Sequence, residues 1–246
     1  MHRFYPDPEK SRDDLAFLTP EDSRHALTVL RLKPGATVEV ISGGLPWLAR
    51  IVGEENRIVC VRKLTPLPST EPKLTVTLFQ GIPKADKMDW IIQKATELGV
   101  SRIVPVEMER CVVRLSRTDE AKKLERWRKI SREAGKQSGR CVLPEILPPM
   151  PVRQLIMQDF LPALNVVPWE EADGFGPLAL VKAYPGAESL GILIGPEGGI
   201  SPDEIGLLKT RDFIPITLGK RILRTETAGM AAVAALMCLY GEMERE

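Results

Sequence analysis

The chain has 246 residues, 43% hydrophobic and 27% charged, with 34 Lys+Arg against 33 Asp+Glu. This composition excludes disorder, collagen and coiled coil, and it supplies enough chain for one large or two modest domains. The net charge of +1 hides a split: residues 1–73 carry 11 basic and 10 acidic side chains, 74–140 carry 15 and 9, and 141–246 carry 8 and 14. A basic middle block is what a polyanion-binding face requires, although a salt-bridged helix face has the same composition.

Cys60, Cys111, Cys141 and Cys238 form no CxxC pair, and the histidines are His2 and His25, so no zinc site or disulfide framework is expected. The N-terminus lacks the apolar core of a signal peptide, and the most apolar stretch, Ala228 to Tyr240, is shorter than the ~20 residues of a membrane span. A cytoplasmic protein with no metal and no membrane association is expected.

Between Ala36 and Leu64 the pattern is β-like. Thr37 to Ile41 alternates, Gly43-Gly44 breaks it, Trp47 to Val52 resumes, and Arg57 to Val61 follows a turn at Glu54-Glu55-Asn56. This predicts a small antiparallel barrel or sheet. Three prolines in Thr65 to Pro72 halt regular structure, which places a domain boundary there and domains at 1–70 and 73–246.

The rhythm then changes to alternating strands and helices. Leu74 to Phe79 reads as a strand. Asp86 to Leu98 reads as a helix, with Met88, Ile91, Ile92, Ala95 and Leu98 on one face, closed by Gly99. Arg102 to Val106 is the next strand and Thr118 to Gln137 a long charged helix. Leu161 to Val167, Leu190 to Ile194 and Ile214 to Leu218 are further strands. Ser201-Pro202-Asp203-Glu204 opens a helix with an N-cap serine, and Thr227 to Tyr240 is a last, wholly apolar helix expected in the core or a subunit interface. Alternation of this kind means an α/β domain with a largely parallel sheet.

Two loops at strand ends could hold chemistry. Gly195-Pro196-Glu197-Gly198-Gly199 lies between a buried strand and a capped helix, where open α/β sheets bind ligands, and glycines let a backbone approach a ligand closely. It is neither GxGxxG nor a Walker loop, and a simple turn is the competing reading. Leu218-Gly219-Lys220-Arg221-Ile222-Leu223-Arg224-Thr225-Glu226-Thr227 also joins a strand to a helix, and Thr225 or Thr227 could cap that helix.

These paired loops resemble the cofactor loops of the SPOUT methyltransferases, whose C-terminal part is a deep trefoil knot, a rare exception to unknotted topology. Lys84 to Val100, Glu109-Arg110-Cys111-Val112-Val113-Arg114 and Gln137-Ser138-Gly139-Arg140 resemble, more closely, the 16S ribosomal RNA uridine-N3 methyltransferase family. Arg3-Phe4-Tyr5 and Val29 to Gly35 are similar to its N-terminal PUA-like RNA-binding domain. Ala85 departs from an expected glycine, and Lys220 stands where proline is common.

The resemblance implies a PUA-like β-barrel followed by a knotted α/β SPOUT domain. It implies S-adenosylmethionine as cofactor, 16S rRNA or the small ribosomal subunit as partner, and a homodimer. Cofactor contacts fall on Leu193, Ile194, Gly195, Pro196, Glu197, Gly198, Gly199, Leu218, Gly219, Ile222, Leu223, Thr225 and Thr227, with a third loop at Pro168-Trp169-Glu170. Arg224 would stabilise the uracil anion formed when the N3 proton leaves, unless it pairs with Glu226 or Glu197; Glu226 is a weaker candidate base. Lys84, Lys87, Lys94, Arg110, Arg114, Arg132, Lys136 and Arg140 are the phosphate-contact candidates, with Arg3, His25 and Arg31 in the first domain. The alternatives are methylation at another RNA position, such as a ribose 2′-hydroxyl, or a non-catalytic RNA-binding assembly factor.

Overall fold

A computed structural model describes residues 1–244. The chain divides into two units, Met1–Glu71 with Gly135–Val142, and Pro72–Ala134 with the chain from Leu143 onward. The sequence places a single boundary in the Pro-rich stretch; the observed division is not linear, because residues 135–142 belong with the first unit.

The first unit contains β1 (Arg3–Phe4), β2 (Leu15–Phe17), α1 (Pro20–Arg24), a π-helical turn (His25–Val29), β3 (Thr37–Ser42), β4 (Leu45–Glu55) and β5 (Ile58–Pro66). The strands form one sheet in the order β1-β3-β4-β5-β2, parallel at β1–β3 and antiparallel elsewhere. Both hairpins close through two residues at positive φ, Gly43-Gly44 and Asn56-Arg57, the backbone whose twist matches the flanking strands. The second turn therefore lies one residue later than the acidic run suggests. β5 continues through Thr65 and Pro66, which pair with Leu48 and Trp47. Proline is tolerated because β2 pairs with β5 at Cys60–Arg62, so no strand faces the missing N–H. Alternate residues Val38, Val40, Ala49, Ile51, Val59 and Val61 fill the core with Phe4, Ala16, Leu18 and Ala26.

The second unit runs β6 (Thr75–Gly81), α2 (Lys87–Glu97), β7 (Arg102–Glu107), α3 (Arg117–Ser138), β8 (Glu145–Ile146), β9 (Met150–Pro151), α4 (Val152–Leu155), β10 (Leu164–Pro168), α5 (Pro177–Ala183), β11 (Ser189–Ile194), α6 (Pro202–Lys209), β12 (Phe213–Ile216) and α7 (Thr225–Leu239). The last residues of α3 belong to the first unit. Its sheet is parallel throughout, in the order β12-β10-β11-β6-β7-β8, with β9 also paired to β7. Successive residues of one strand enter opposite cores. Leu78, Ile103, Val166 and Ile192 pack with α2, α5 and α7, while Phe79, Val104, Val167 and Leu193 pack with α4 and α6. Burial on both faces explains why these strands read as continuous apolar runs.

The final helix departs from expectation at its start. It starts at Thr225, with Arg224 in extended conformation at the N-cap position and no side-chain cap, so neither threonine caps it. Its apolar surface is covered on one face: Gly229, Ala232, Val233, Leu236 and Met237 are buried, whereas Ala231, Cys238 and Leu239 are exposed.

Candidate active site

The C-terminal end of β11 delivers Gly195–Gly199 beside the end of β6. A Cβ on Gly81 would lie 2.7 Å from the ring and nitrogen of Pro196, so glycine is what lets strand and loop touch. Beyond the loop, Ser201 and Glu204 form a reciprocal capping box that fixes the start of α6. Glu204 also accepts a 2.8 Å bond from the Glu109 backbone N–H, which brings in the segment after β7. That segment places Arg110 on the loop: its guanidinium donates to the Gly198 carbonyl at 3.1 Å, and a Cβ on Gly198 would stand 2.8 Å from the Arg110 Cβ.

The second loop is tied to the first by a buried chain of polar groups. The Gln80 amide donates to the Thr225 hydroxyl at 2.9 Å, and that hydroxyl donates to the Gly195 carbonyl at 2.6 Å. The Gln80 side-chain oxygen is buried and without a partner among the described residues. Thr225, a cofactor candidate in the sequence, thus uses its hydroxyl to join the two loops. Arg224, the preceding residue, is exposed, and among the described residues it has no ion pair.

The acids near Arg224 are engaged by Lys87 at the start of α2. Its ammonium lies 2.9 Å from Glu197 and 3.2 Å from Glu226, with all three side chains less than a third exposed. Glu197 also accepts from the Lys84 backbone N–H at 3.1 and 3.3 Å. The contacts with the Glu197 and Glu226 carboxylates raise the Lys87 pKa above that of an ordinary lysine. Burial pushes the Glu197 carboxyl up, but the bonds from Lys87 and the backbone outweigh it and leave the group below the ordinary value.

The other candidates scatter. Leu193 and Ile194 are buried strand residues beneath the first loop, Leu218 and Leu223 are partly buried, Gly219 has a positive φ, and Ile222 is 86% exposed. Thr227 is exposed on the first turn of α7. Trp169 is partly buried against the core that contains Phe79 and donates its backbone N–H to Ile216, while Glu170 lies beside Gly199. Ala85 adopts φ +54, a left-handed backbone that favours the glycine expected there.

Several phosphate candidates are already committed to acids. Lys87 holds Glu197 and Glu226, Lys94 pairs with Glu97 at 2.9 Å, and Arg3 pairs with Glu39. Lys136 pairs at 2.6 Å with Asp22, itself 3% exposed, and Arg140, 5% exposed, holds Glu71 at 2.8 Å. Both pairs tie residues of the first unit together, with the Lys136 side chain 19% exposed and that of Arg140 5%. Arg132 is half-buried and also engaged. Lys84, Arg110 and Arg114 are exposed in the second unit, and His25 and Arg31 in the first. Sequence reasoning did not single out Gln80 or Gly81; the signal was a polar residue and a glycine ending an otherwise apolar strand.

Among the described residues no helix is long and apolar enough to cross a membrane, and no cluster of metal-binding side chains occurs. All four cysteines are free.

The chain matches two family models: an RNA methyltransferase domain over residues 70–237 and an RNA methyltransferase PUA domain over 18–64. It is 35% identical to the ribosomal RNA small subunit methyltransferase E of Bacillus subtilis, across 89% of this chain and 88% of that one. It is 32% identical to that of Mycobacterium tuberculosis, across 95% and 90%. A crystal structure of the ribosomal RNA small subunit methyltransferase E of Neisseria gonorrhoeae bound to S-adenosyl methionine superimposes with a TM-score of 0.83, at 34% identity over 99% of this chain and 100% of that one. With its parallel sheet, its joined strand-end loops and a family match over most of its length, the chain belongs to the RNA methyltransferase family, alongside the ribosomal RNA small subunit methyltransferases E.

Proposed function

We propose that this protein transfers a methyl group from S-adenosylmethionine to N3 of a specific uridine in the 16S rRNA of the small ribosomal subunit. The second unit would be the methyltransferase and the first the PUA-like RNA-binding module. The residues present suit the cofactor. Among the described residues, the backbone groups of Lys220 to Leu223 have no hydrogen-bond partner, and nothing stands within 4 Å of where a Cβ on Gly219 would point. Together with Gly195–Gly199, these groups would hold an adenine edge through N–H and C=O, and the bound cofactor would supply an electrophilic methyl on sulfonium. The family resemblance extends this to a knotted SPOUT topology, which the tie of Thr225 to Gly195 supports, and to a homodimer, which the small apolar outer face of α7 supports.

The observation that carries the reading is the position of Arg224. It stands at the positive N-terminal end of the 15-residue α7, one residue from the bond that joins both loops, with its guanidinium unpaired among the described residues. Uridine N3 is a poor nucleophile until its proton leaves. A guanidinium beside a helix N-terminus, brought to where negative charge develops on the uracil oxygens, would stabilise that anion and lower the barrier to attack.

Nucleoside mass spectrometry of small-subunit RNA treated with the protein should detect 3-methyluridine. Arg224→Ala should reduce turnover by about 100-fold or more while isothermal titration shows cofactor affinity within a few-fold of wild type. Unchanged turnover would remove Arg224 from the chemistry, and a methylated ribose would redirect the reaction to a 2′-hydroxyl.

A further inference from the structure

Lys87 belongs to the basic block that charge counting assigns to RNA, yet its ammonium sits between Glu197 of one loop and Glu226 of the other. We propose that Lys87 is a positioning residue that occupies both carboxylates, so that Arg224 remains free for the uracil. This rests on the role given to Arg224 above.

The argument is one of competition. Glu226 lies two residues beyond Arg224, and Glu197 lies on the loop to which the next residue, Thr225, is hydrogen-bonded. A long flexible guanidinium two residues from one carboxylate, on a segment bonded to the loop that carries the other, has both as potential partners, yet Arg224 has no ion pair among the described residues and both acids face Lys87 instead. Lys87 is well suited to outcompete it. Its backbone is fixed as the first residue of α2, its side chain is 29% exposed, and its partner Glu197 is aligned by the Lys84 backbone N–H. A guanidinium captured by either acid would lose donors needed by the substrate and be drawn off line, and a displacement of about 1 Å at a reacting centre can cost 100-fold in rate. One lysine on α2 would then both tie β11's loop to α7 and set the availability of the catalytic arginine.

The test compares Lys87→Met, Lys87→Arg, the double variant Lys87→Met with Glu226→Gln, and Arg224→Ala. Methyl transfer to small subunits and titration with S-adenosylmethionine would be measured on each. Lys87→Met should lower kcat by roughly 10- to 100-fold with a smaller change in cofactor affinity. Lys87→Arg should restore most of the rate, and the double variant should recover at least about tenfold over Lys87→Met, because the carboxylate nearest in sequence that could capture Arg224 is gone. A purely structural tie would show its loss and its rescue in the melting temperature in parallel with the rate, whereas capture of Arg224 changes kcat at a melting temperature that Glu226→Gln does not restore in step. A Lys87→Met enzyme at wild-type rate, or a double variant as slow as Lys87→Met, overturns the proposal. If Arg224→Ala is inactive in either case, the role given to Arg224 stands and this inference alone fails; an active Arg224→Ala removes that role and this inference with it, while 3-methyluridine in the product still decides the function proposed above.

Discussion

The basic block at 74–140 and the acidic block at 141–246 present to a ligand a charge different from their formal counts once each side chain is placed. In the basic block, Lys87, Lys94, Lys136 and Arg140 are held by carboxylates, and the last is almost completely covered. In the acidic block, Arg224 stands exposed and unpaired among the described residues. Formal charge counts what a segment carries; what a ligand meets is the charge left after internal pairing. An electrostatic face is therefore read from Lys84, Arg110 and Arg114 more securely than from the whole count.

This contrast can be broken at several points. Beyond the loss of turnover expected for Arg224→Ala, the largest effect should be on stability. Arg140→Met leaves the half-buried Glu71 without its cation, and losing one partner of such a pair costs at most about 3 kcal/mol here, because Glu71 keeps the backbone N–H groups of Cys141 and Val142. Chemical denaturation should show that loss; if RNA affinity fell with stability untouched, Arg140 would be a phosphate contact after all. A smaller effect is expected at Arg114, which is exposed. Arg114→Ala should weaken RNA binding and reduce the slope of log affinity against log salt by about 0.7, as one released phosphate contact on single-stranded RNA requires. The smallest concerns Glu197. Because its carboxyl is held below the ordinary 4.5, it stabilises the fold above that pH and ceases to do so as pH falls through its folded value. Melting curves between neutral pH and pH 3 should therefore fall less steeply for Glu197→Gln, and parallel curves would show that the ties to Lys87 and Lys84 contribute nothing.

Much of the fold was legible because periodicity reports burial. The i, i+3, i+4 spacing of Met88, Ile91, Ile92 and Ala95 marked α2, and the apolar runs marked strands covered on both faces. Elements of two to five residues, such as α1, β8 and β9, escaped, since a single turn or bridge leaves no period to detect. At the site, the glycine loops were visible as composition. Their joining was not, because pairing between Gln80, Thr225 and Gly195 is a long-range property. The commitment of Lys87 was hidden for the same reason: its partners lie 110 and 139 positions away in the chain.

That separation has a kinetic consequence. Gln80 and Thr225 are 145 residues apart, and contacts of such span close late because loop entropy is spent before they form. During synthesis, β6 leaves the ribosome long before Thr225 exists, so the two loops cannot be joined until nearly the whole second unit has emerged. If these loops hold the methyl donor, its occupancy reports that the second unit is folded, and cofactor titration during refolding should trail the recovery of helical signal.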